Sequence, residues 1–407
     1  GAAAVAAPAS APAAALATSP AAAPAARAPK PPPMPPPSPS AAVVPSAQQF
    51  AMLKIVTSYQ RSFDEPTYGY CVGMRLVGRL DADALRRALV LLRGRHESLR
   101  AHFDAQTYHQ VCAPAAADEG SADACAGWLC ERDVIGATCP ADATRALLHA
   151  EAVSPMDPWT GPLFRVLVVH GAGDHTGPVS LLVLNFHHLI DDGGSVGIFT
   201  RELWALYGAM VRGADPTDLL APLVPYRAYI SRQHAAMRFG MQEQYALWEE
   251  RHGTSVLPLP VLRLQWSLAD ADADASRLIG LAPLEVGAPL YDKLQAAAAS
   301  AGVTLNTYML AAFMLLCARY ADATPSRVAC MIAFNDRHDA EMHTIGFSTT
   351  LIMIDAAVDG SIPFDAFVAR VHESVLFAID NSGASLQAMW RKWRKKSVRA
   401  KMPYFNI

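Results

Sequence analysis

Between an apolar run, Val179 to Phe186, and a run of helical periodicity, Ser195 to Met210, stand His187-His188-Leu189-Ile190-Asp191-Asp192-Gly193. A strand that feeds a helix through so short a loop constrains the fold to include a strand–turn–helix unit. Neighbouring side chains of an extended backbone point to opposite faces, so only one of His187 and His188 can face a given cavity. The other packs on the reverse side. Asp192-Gly193-Gly194 reads as a sharp turn, because glycine reaches conformations that a Cβ forbids. A base-capable imidazole, a carboxylate and an accessible backbone N–H thus converge in one loop. The same residues would also serve as an ordinary strand end with an acidic turn, so the rest of the chain must decide.

Tyr70, Val72, Met74 and Leu76 alternate with Cys71, Gly73, Arg75 and Val77 as in a strand. Asp81 offers an N-cap to a helix with Leu85, Ala88, Leu89 and Leu92 on one face. Leu163 to His170 and Val179 to Phe186 read as two strands joined by a turn that opens at Gly171. Ser195 can cap the following helix, and helical periodicity runs again from Tyr226 to about His252 until Pro258 and Pro260 break it. A second set follows: helices over Pro289 to Ala301 and Leu305 to Tyr320, strands over Val328 to Phe334 and Leu351 to Ile354, and a helix from Pro363 to about Ile379. Two successive mixed sets predict an α/β (α+β) chain of two lobes, with the boundary near Gln265.

At 52% hydrophobic and 17% charged over 407 residues, the chain can bury a sizeable core. A net charge of −3 gives no argument for nucleic acid or an anionic membrane as partner. The longest apolar run, about Tyr308 to Ala318, is too short to span a bilayer. The 7 cysteines form no CxxC metal spacing and read as incidental thiols of a cytoplasmic protein. Residues 1–43 are nearly all Ala, Pro and Ser, and Pro31 to Pro39 favours polyproline II, which builds no core. That segment is expected to be an interdomain linker, and it lacks the basic start of a signal peptide.

The heptapeptide matches the HHxxxDG signature, and further motifs follow in a fixed order. Pro45-Ser46-Ala47-Gln48-Gln49 opens the series, and Arg95-His96-Glu97-Ser98-Leu99-Arg100 with Phe103 gives RHExLRxxF. Met156-Asp157-Pro158-Trp159-Thr160-Gly161-Pro162-Leu163-Phe164-Arg165 is similar to FDLxxGPLxR. Tyr226-Arg227-Ala228-Tyr229, the Tyr245 to Trp248 segment, Asn335-Asp336-Arg337 and Ile345-Gly346-Phe347-Ser348-Thr349-Thr350-Leu351 complete the set. Together, over about Val44 to Ile407, they resemble the condensation domains of nonribosomal peptide synthetases, within the HHxxxDG acyltransferase superfamily. The sequence departs from that pattern in four places. The tryptophan after the opening motif is missing, Thr349 stands where asparagine is usual, and Arg337 to Ile345 is one residue short. The chain also ends several tens of residues before such domains do, as a C-terminally truncated fragment would.

The resemblance implies two chloramphenicol-acetyltransferase-like lobes, residues 44–265 and 266–407, set in a V with the active site in the tunnel between them. It implies acyl transfer from a carrier-bound thioester to an amine, or less often a hydroxyl. Amide or ester formation of this kind must orient the nucleophile, manage its proton and stabilise an oxyanion. His188 is the expected tunnel-facing catalytic imidazole, and Gly193 can offer its N–H to the oxyanion. His187 is expected to be structural. Asp192 invites a triad reading, but the resemblance implies an ion pair with Arg337 that holds the loop across the lobes. Arg95, His96 and Glu97 read as scaffold. Direct transfer without an acyl-enzyme is expected, and no GxxxxGK[ST] loop is present, so activation by nucleotide occurs elsewhere.

No bound cofactor is expected. Phosphopantetheine arms would arrive on donor and acceptor carrier domains, and a free small-molecule acceptor is the other option. Neighbouring synthetase modules are the implied partners, with no nucleic acid and no membrane. The basic run Arg391, Lys392, Arg394, Lys395, Lys396, Arg399, Lys401 could dock an acidic carrier or be a solvated helix face. Two other readings stay open. One is a standalone acyl-CoA-dependent O- or N-acyltransferase, and the other is a catalytically inactive domain that recruits partners.

Overall fold

A computed structural model describes residues 42–60, 68–115, 125–172, 178–216, 218–252, 284–320 and 327–383. The Ala/Pro-rich stretch 1–41, Pro258 and Pro260, the Gln265 boundary, the basic run and Pro403 to Ile407 lie outside those residues. The chain is mixed α/β. It divides into two compact units, one holding the residues up to Ala235 with Arg337–Ser348, the other Ala236–Asp336 with Thr349 onward.

In the first unit, β1 (Gly69–Val77), β4 (Leu129–Asp133), β5 (Phe164–His170) and β6 (Val179–His187) form one sheet in the order β1-β6-β5-β4. β6 is flanked on both sides, antiparallel to β1 and β5, and most of its residues are buried. That explains its near-continuous apolar sequence, whereas β1 keeps the alternation of a half-covered edge. Two short strands, β2 (Ala101–Phe103) and β3 (Gln110–Cys112), pair separately.

Helices α1 (Ala47–Gln60), α2 (Ala82–Arg95), α3 (Pro140–Val153) and α4 (Gly193–Val211) belong to this unit, as does α5 (Tyr226–Phe239) up to Ala235. Asp81 caps α2 by accepting from the Ala84 N–H at 2.9 Å, and Leu85, Leu89 and Leu92 are buried on its inner face. Phe186 sits 5.0 Å from Phe164 and 5.6 Å from Phe199 between ring centroids, so the strand that carries the histidines is keyed into the core just before them.

Two expectations are corrected here. The cap of α4 is Asp192, not Ser195. Asp192 is extended, and its carboxylate accepts from the Ser195 N–H at 2.9 Å, which leaves Ser195 buried within the first turn. The periodicity from Tyr226 to His252 covers two helices, because α5 stops at Phe239 and α6 (Met241–His252) begins past Gly240.

The second unit contains α6, α7 (Ala288–Ser300), α8 (Leu305–Arg319), the antiparallel pair β7 (Arg327–Asn335) and β8 (Thr349–Ala357), and α9 (Phe364–Asp380). Its core joins Met314, Cys330, Ile352, Ile354, Phe367 and Val371. Among the described residues no single helix is long and apolar enough to cross a membrane.

Candidate active site

His187 ends β6 with its side chain buried. Its backbone N–H donates to the Leu163 carbonyl at 3.0 Å, and its Nδ1 accepts from the Leu189 N–H at 3.1 Å. The first continues the β5–β6 ladder and the second folds the chain back beyond it, so this ring shapes the turn. His188 points the other way. Its backbone N–H donates to the Tyr68 carbonyl at 2.9 Å, and its side chain is 40% exposed. Partial burial pulls its imidazole below the ordinary histidine value, opposed by the Asp191 backbone and the Asp192 charge, so the ring is neutral near pH 7.

Asp192 is buried and saturated with donors. Its Oδ1 accepts from the Ser195 N–H at 2.9 Å, the Ser195 hydroxyl at 2.8 Å and Arg337 Nη2 at 2.8 Å. Its Oδ2 accepts from Arg337 Nη1 at 2.9 Å and the Ser348 N–H at 3.0 Å. Burial would raise this carboxyl, yet the Arg337 guanidinium and Ser195 hold it below the usual carboxylate range. Arg337 also donates to the carbonyls of Thr344 at 3.0 Å and Gly346 at 2.9 Å. A carboxylate so filled has no lone pair left for a histidine, which removes the triad reading of Asp192. Because Arg337–Ser348 clusters with the first unit, the pair lies within that unit and does not bridge the two. That corrects the expectation of a contact across lobes.

Gly193 is exposed in the first turn of α4, where helical N–H groups lack carbonyl partners, and a Cβ there would meet nothing within 4 Å. The crowded glycines are others. A Cβ on Gly194 would stand 3.0 Å from Arg337 Nη1, and one on Gly346 would stand 2.1 Å from Tyr226 Cδ2. No local pattern signals these close approaches, because the ring and the guanidinium come from distant segments.

The opening motif, the RHExLR motif and the Tyr226 motif each contact this loop or the 345–348 segment beside it. Gln49 Nε2 donates to the Leu189 carbonyl at 2.8 Å. Ser98 Oγ donates to the Ile345 carbonyl at 2.9 Å, and the Tyr226 hydroxyl donates to that of Phe347 at 2.7 Å. Glu97 accepts from the Arg227 backbone N–H at 2.8 Å and from its Nε at 2.6 Å. His96 and Arg95 meet Glu202 of α4 at 2.8 and 3.1 Å. The scaffold reading of Arg95, His96 and Glu97 thus has a physical form: they tie α4 and α5 around the loop. Thr349 opens β8 opposite Asn335 and belongs to the second unit.

Asp191 is the residue of this loop that sequence reasoning does not single out. Its side chain is wholly buried, Oδ2 shares a hydrogen bond with the Tyr70 hydroxyl, and Oδ1 lies 3.7 Å from His188 Nδ1. The Tyr70 ring packs at a tilt against the His188 ring, with centroids 4.5 Å apart and planes 31° apart. Tyr70 meets the loop through the register of β1 against β6, which pairs it with Phe186, and no periodicity announces that. Among the described residues no cluster of three or more His, Cys, Asp or Glu could hold a metal ion.

A family model for the condensation domain matches residues 56–407. One of the linear gramicidin synthase proteins of Brevibacillus parabrevis is 30% identical over 351 residues, which are 84% of this chain and 6% of that protein. Enniatin synthetase of Fusarium oxysporum is 27% identical over 341 residues, 82% of this chain and 10% of that protein. This chain therefore spans a small part of the curated relatives it matches. Among solved structures, the first condensation domain of the CDA synthetase aligns with a TM-score of 0.69 at 18% identity, covering 90% of this chain and 80% of that one. The X-domain from teicoplanin biosynthesis gives a TM-score of 0.68 at 23% identity, covering 86% and 73%. A variant starter condensation domain of rhizomide synthetase, in complex with C8-CoA, gives a TM-score of 0.66 at 16% identity, covering 90% and 76%. The chain belongs to the condensation-domain family of nonribosomal peptide synthetases, whose general reaction is amide-bond formation.

Proposed function

We propose that this condensation-domain chain transfers an acyl or peptidyl group from the phosphopantetheine thioester of a donor carrier domain to an amine on an acceptor carrier. The observation that supports this reading is the half-exposed, neutral His188 on a loop held by the Asp192–Arg337 pair. The amine nitrogen attacks the thioester carbon, forming a C–N bond and a tetrahedral oxyanion. His188 Nε2 accepts a hydrogen bond or the proton from the attacking nitrogen. Gly193 offers its N–H at the helix start, where the backbone favours negative charge. Collapse of the intermediate breaks the C–S bond, and the thiolate leaves with a proton. His187, Asp192 and Arg337 keep the loop in shape and touch no reacting atom.

A standalone transferase would instead use acyl-CoA and a small acceptor, as the starter domain bound to C8-CoA invites one to ask. A recruiting domain would turn over neither. Offering the chain an acyl-carrier donor or the same acyl-CoA, each with an amine-loaded carrier or a free amine or alcohol, separates the three by mass spectrometry. We expect product on the acceptor carrier from the carrier-bound donor. Faster turnover of acyl-CoA with a free alcohol would favour the standalone enzyme, and no turnover of any pair would favour recruitment.

A further inference from the structure

The HHxxxDG pattern leaves the residue before its aspartate unspecified, and here it is a second carboxylic acid, Asp191. The side chain is fully buried, and burial, then the neighbouring Asp192 charge, pushes its carboxyl well above the ordinary carboxylate range against the Tyr70 and Arg337 contributions. A carboxyl enclosed in this way is costly unless its oxygens are used. Oδ2 shares a hydrogen bond with the Tyr70 hydroxyl, so the proton of the neutral carboxyl lies in that contact and Oδ1 keeps its lone pairs. Oδ1 makes no hydrogen bond, and 3.7 Å away stands Nδ1 of the exposed histidine.

We propose that Asp191 and Tyr70 form a positioning couple that holds His188 by its Nδ1 edge, with Oδ1 as the acceptor for an Nδ1–H and the phenol ring as a backing plate. The couple keeps the lone pair on Nε2, the nitrogen that must meet the attacking nucleophile. The separation is long for a hydrogen bond, as such contacts commonly are before substrate closes them. Three observations converge on it: the buried Oδ1, the Tyr70 hydrogen bond at the other oxygen of the same carboxyl, and the ring contact at 4.5 Å. Asp192 cannot take this part, since Arg337, Ser195 and Ser348 fill both of its oxygens. The charged or titratable groups around the couple are Asp192 at the cap of α4, Arg337 just past β7 and Tyr70 itself on β1.

The inference rests on His188 acting as proposed above, so its test is read without turnover as well as with it. The full chain labelled with 15N-histidine reports each imidazole tautomer by long-range 1H–15N correlation, and His188→Gln assigns the His188 signals. His188 is expected in the Nδ1–H form. In Asp191→Asn the carboxamide NH2 can face Nδ1 and select the Nε2–H form, and Tyr70→Phe should shift the ratio part of the way. With a carrier-bound donor, Asp191→Asn should lower kcat by about 100-fold and leave KM for the acceptor within about 2-fold. His188 in the Nε2–H form in the unaltered chain would overturn the proposal, even if Asp191→Asn fails to fold. An unchanged tautomer and kcat in a folded Asp191→Asn chain would also overturn it. Absence of turnover in the unaltered chain, with the expected tautomers, would count against the acyl-transfer reading alone.

Discussion

Asp192 and Arg337 meet through two parallel hydrogen bonds, Nη1 to Oδ2 at 2.9 Å and Nη2 to Oδ1 at 2.8 Å, with both side chains almost fully buried. The same carboxylate caps α4, and the same guanidinium gathers the Thr344 and Gly346 carbonyls. One pair thus sets where the helix starts, how the histidine loop turns into it and where the 337–348 segment lies.

Removing either partner strands a buried charge. Asp192→Asn and Arg337→Ala should each destabilise the chain by about 3–5 kcal/mol, and the double variant should lose clearly less than the sum. Urea unfolding of the four chains measures this. Additive losses would mean that the residues act independently despite their contact.

The two histidines should separate by phenotype. His188→Ala should cut acyl transfer by about 10²–10⁴-fold with little change in Tm, because a half-exposed ring contributes little packing. His187→Ala removes the acceptor for the Leu189 N–H and leaves a cavity, so its Tm should fall. Product on the acceptor carrier and a thermal melt are the two readouts. A His188→Ala chain that turns over at the unaltered rate would remove that ring from the mechanism.

How much of this is legible in the sequence depends on distance along the chain. The opposed facing of His187 and His188 follows from strand geometry alone, and the apolar run before them requires a buried central strand. The α4 cap is ambiguous because Asp192 and Ser195 are both capping residue types three positions apart, and only the backbone conformation says which stands outside the helix. β4, Leu129-Cys130-Glu131-Arg132-Asp133, escapes a pattern search, since an edge strand with one covered face carries a weak apolar signal. Asp191 and Tyr70 lie 121 residues apart and meet only through sheet register. Their partnership is a tertiary fact that no local propensity encodes.

Acid should weaken the fold by a stated route. His96 and His188 both sit below the ordinary histidine value, burial being the largest cause in each, so the unfolded chain takes up protons first as pH falls through ~6.5. Stability is therefore lost downward from that point. Asp192 and Glu202, held low by their Arg and His partners against burial, add a further loss below ~pH 4. Asp191 has the opposite sign, because its raised carboxyl favours the folded state at low pH and that contribution fades as pH rises. Asp191→Asn should therefore gain relative stability as the medium goes from acid to neutral. Unfolding midpoints measured from about pH 2 to about pH 8 check each sign, and a pH-independent difference between the two chains would contradict this assignment.

Gly346 has no room for a side chain. A Cβ there would lie within 2.1 Å of Cδ2 in the Tyr226 ring. That ring cannot swing aside, since it is buried, stacks on Tyr229 at 5.4 Å and donates its hydroxyl to the Phe347 carbonyl at 2.7 Å. The relief must come from the backbone, and the Gly346 carbonyl is the one that accepts from Arg337 and Ser195. Gly346→Ala should thus cost about 1–3 kcal/mol of stability. It should also lower acyl transfer by disturbing the Arg337–Asp192 pair, although Gly346 contacts no reacting group. Adding Tyr226→Leu opens the space, so the double variant should recover part of the loss, whereas Tyr226→Leu alone should destabilise by emptying its pocket. If Gly346→Ala unfolds at the same midpoint as the unaltered chain, the loop is free to move, and the close packing of ring on backbone does not hold the site.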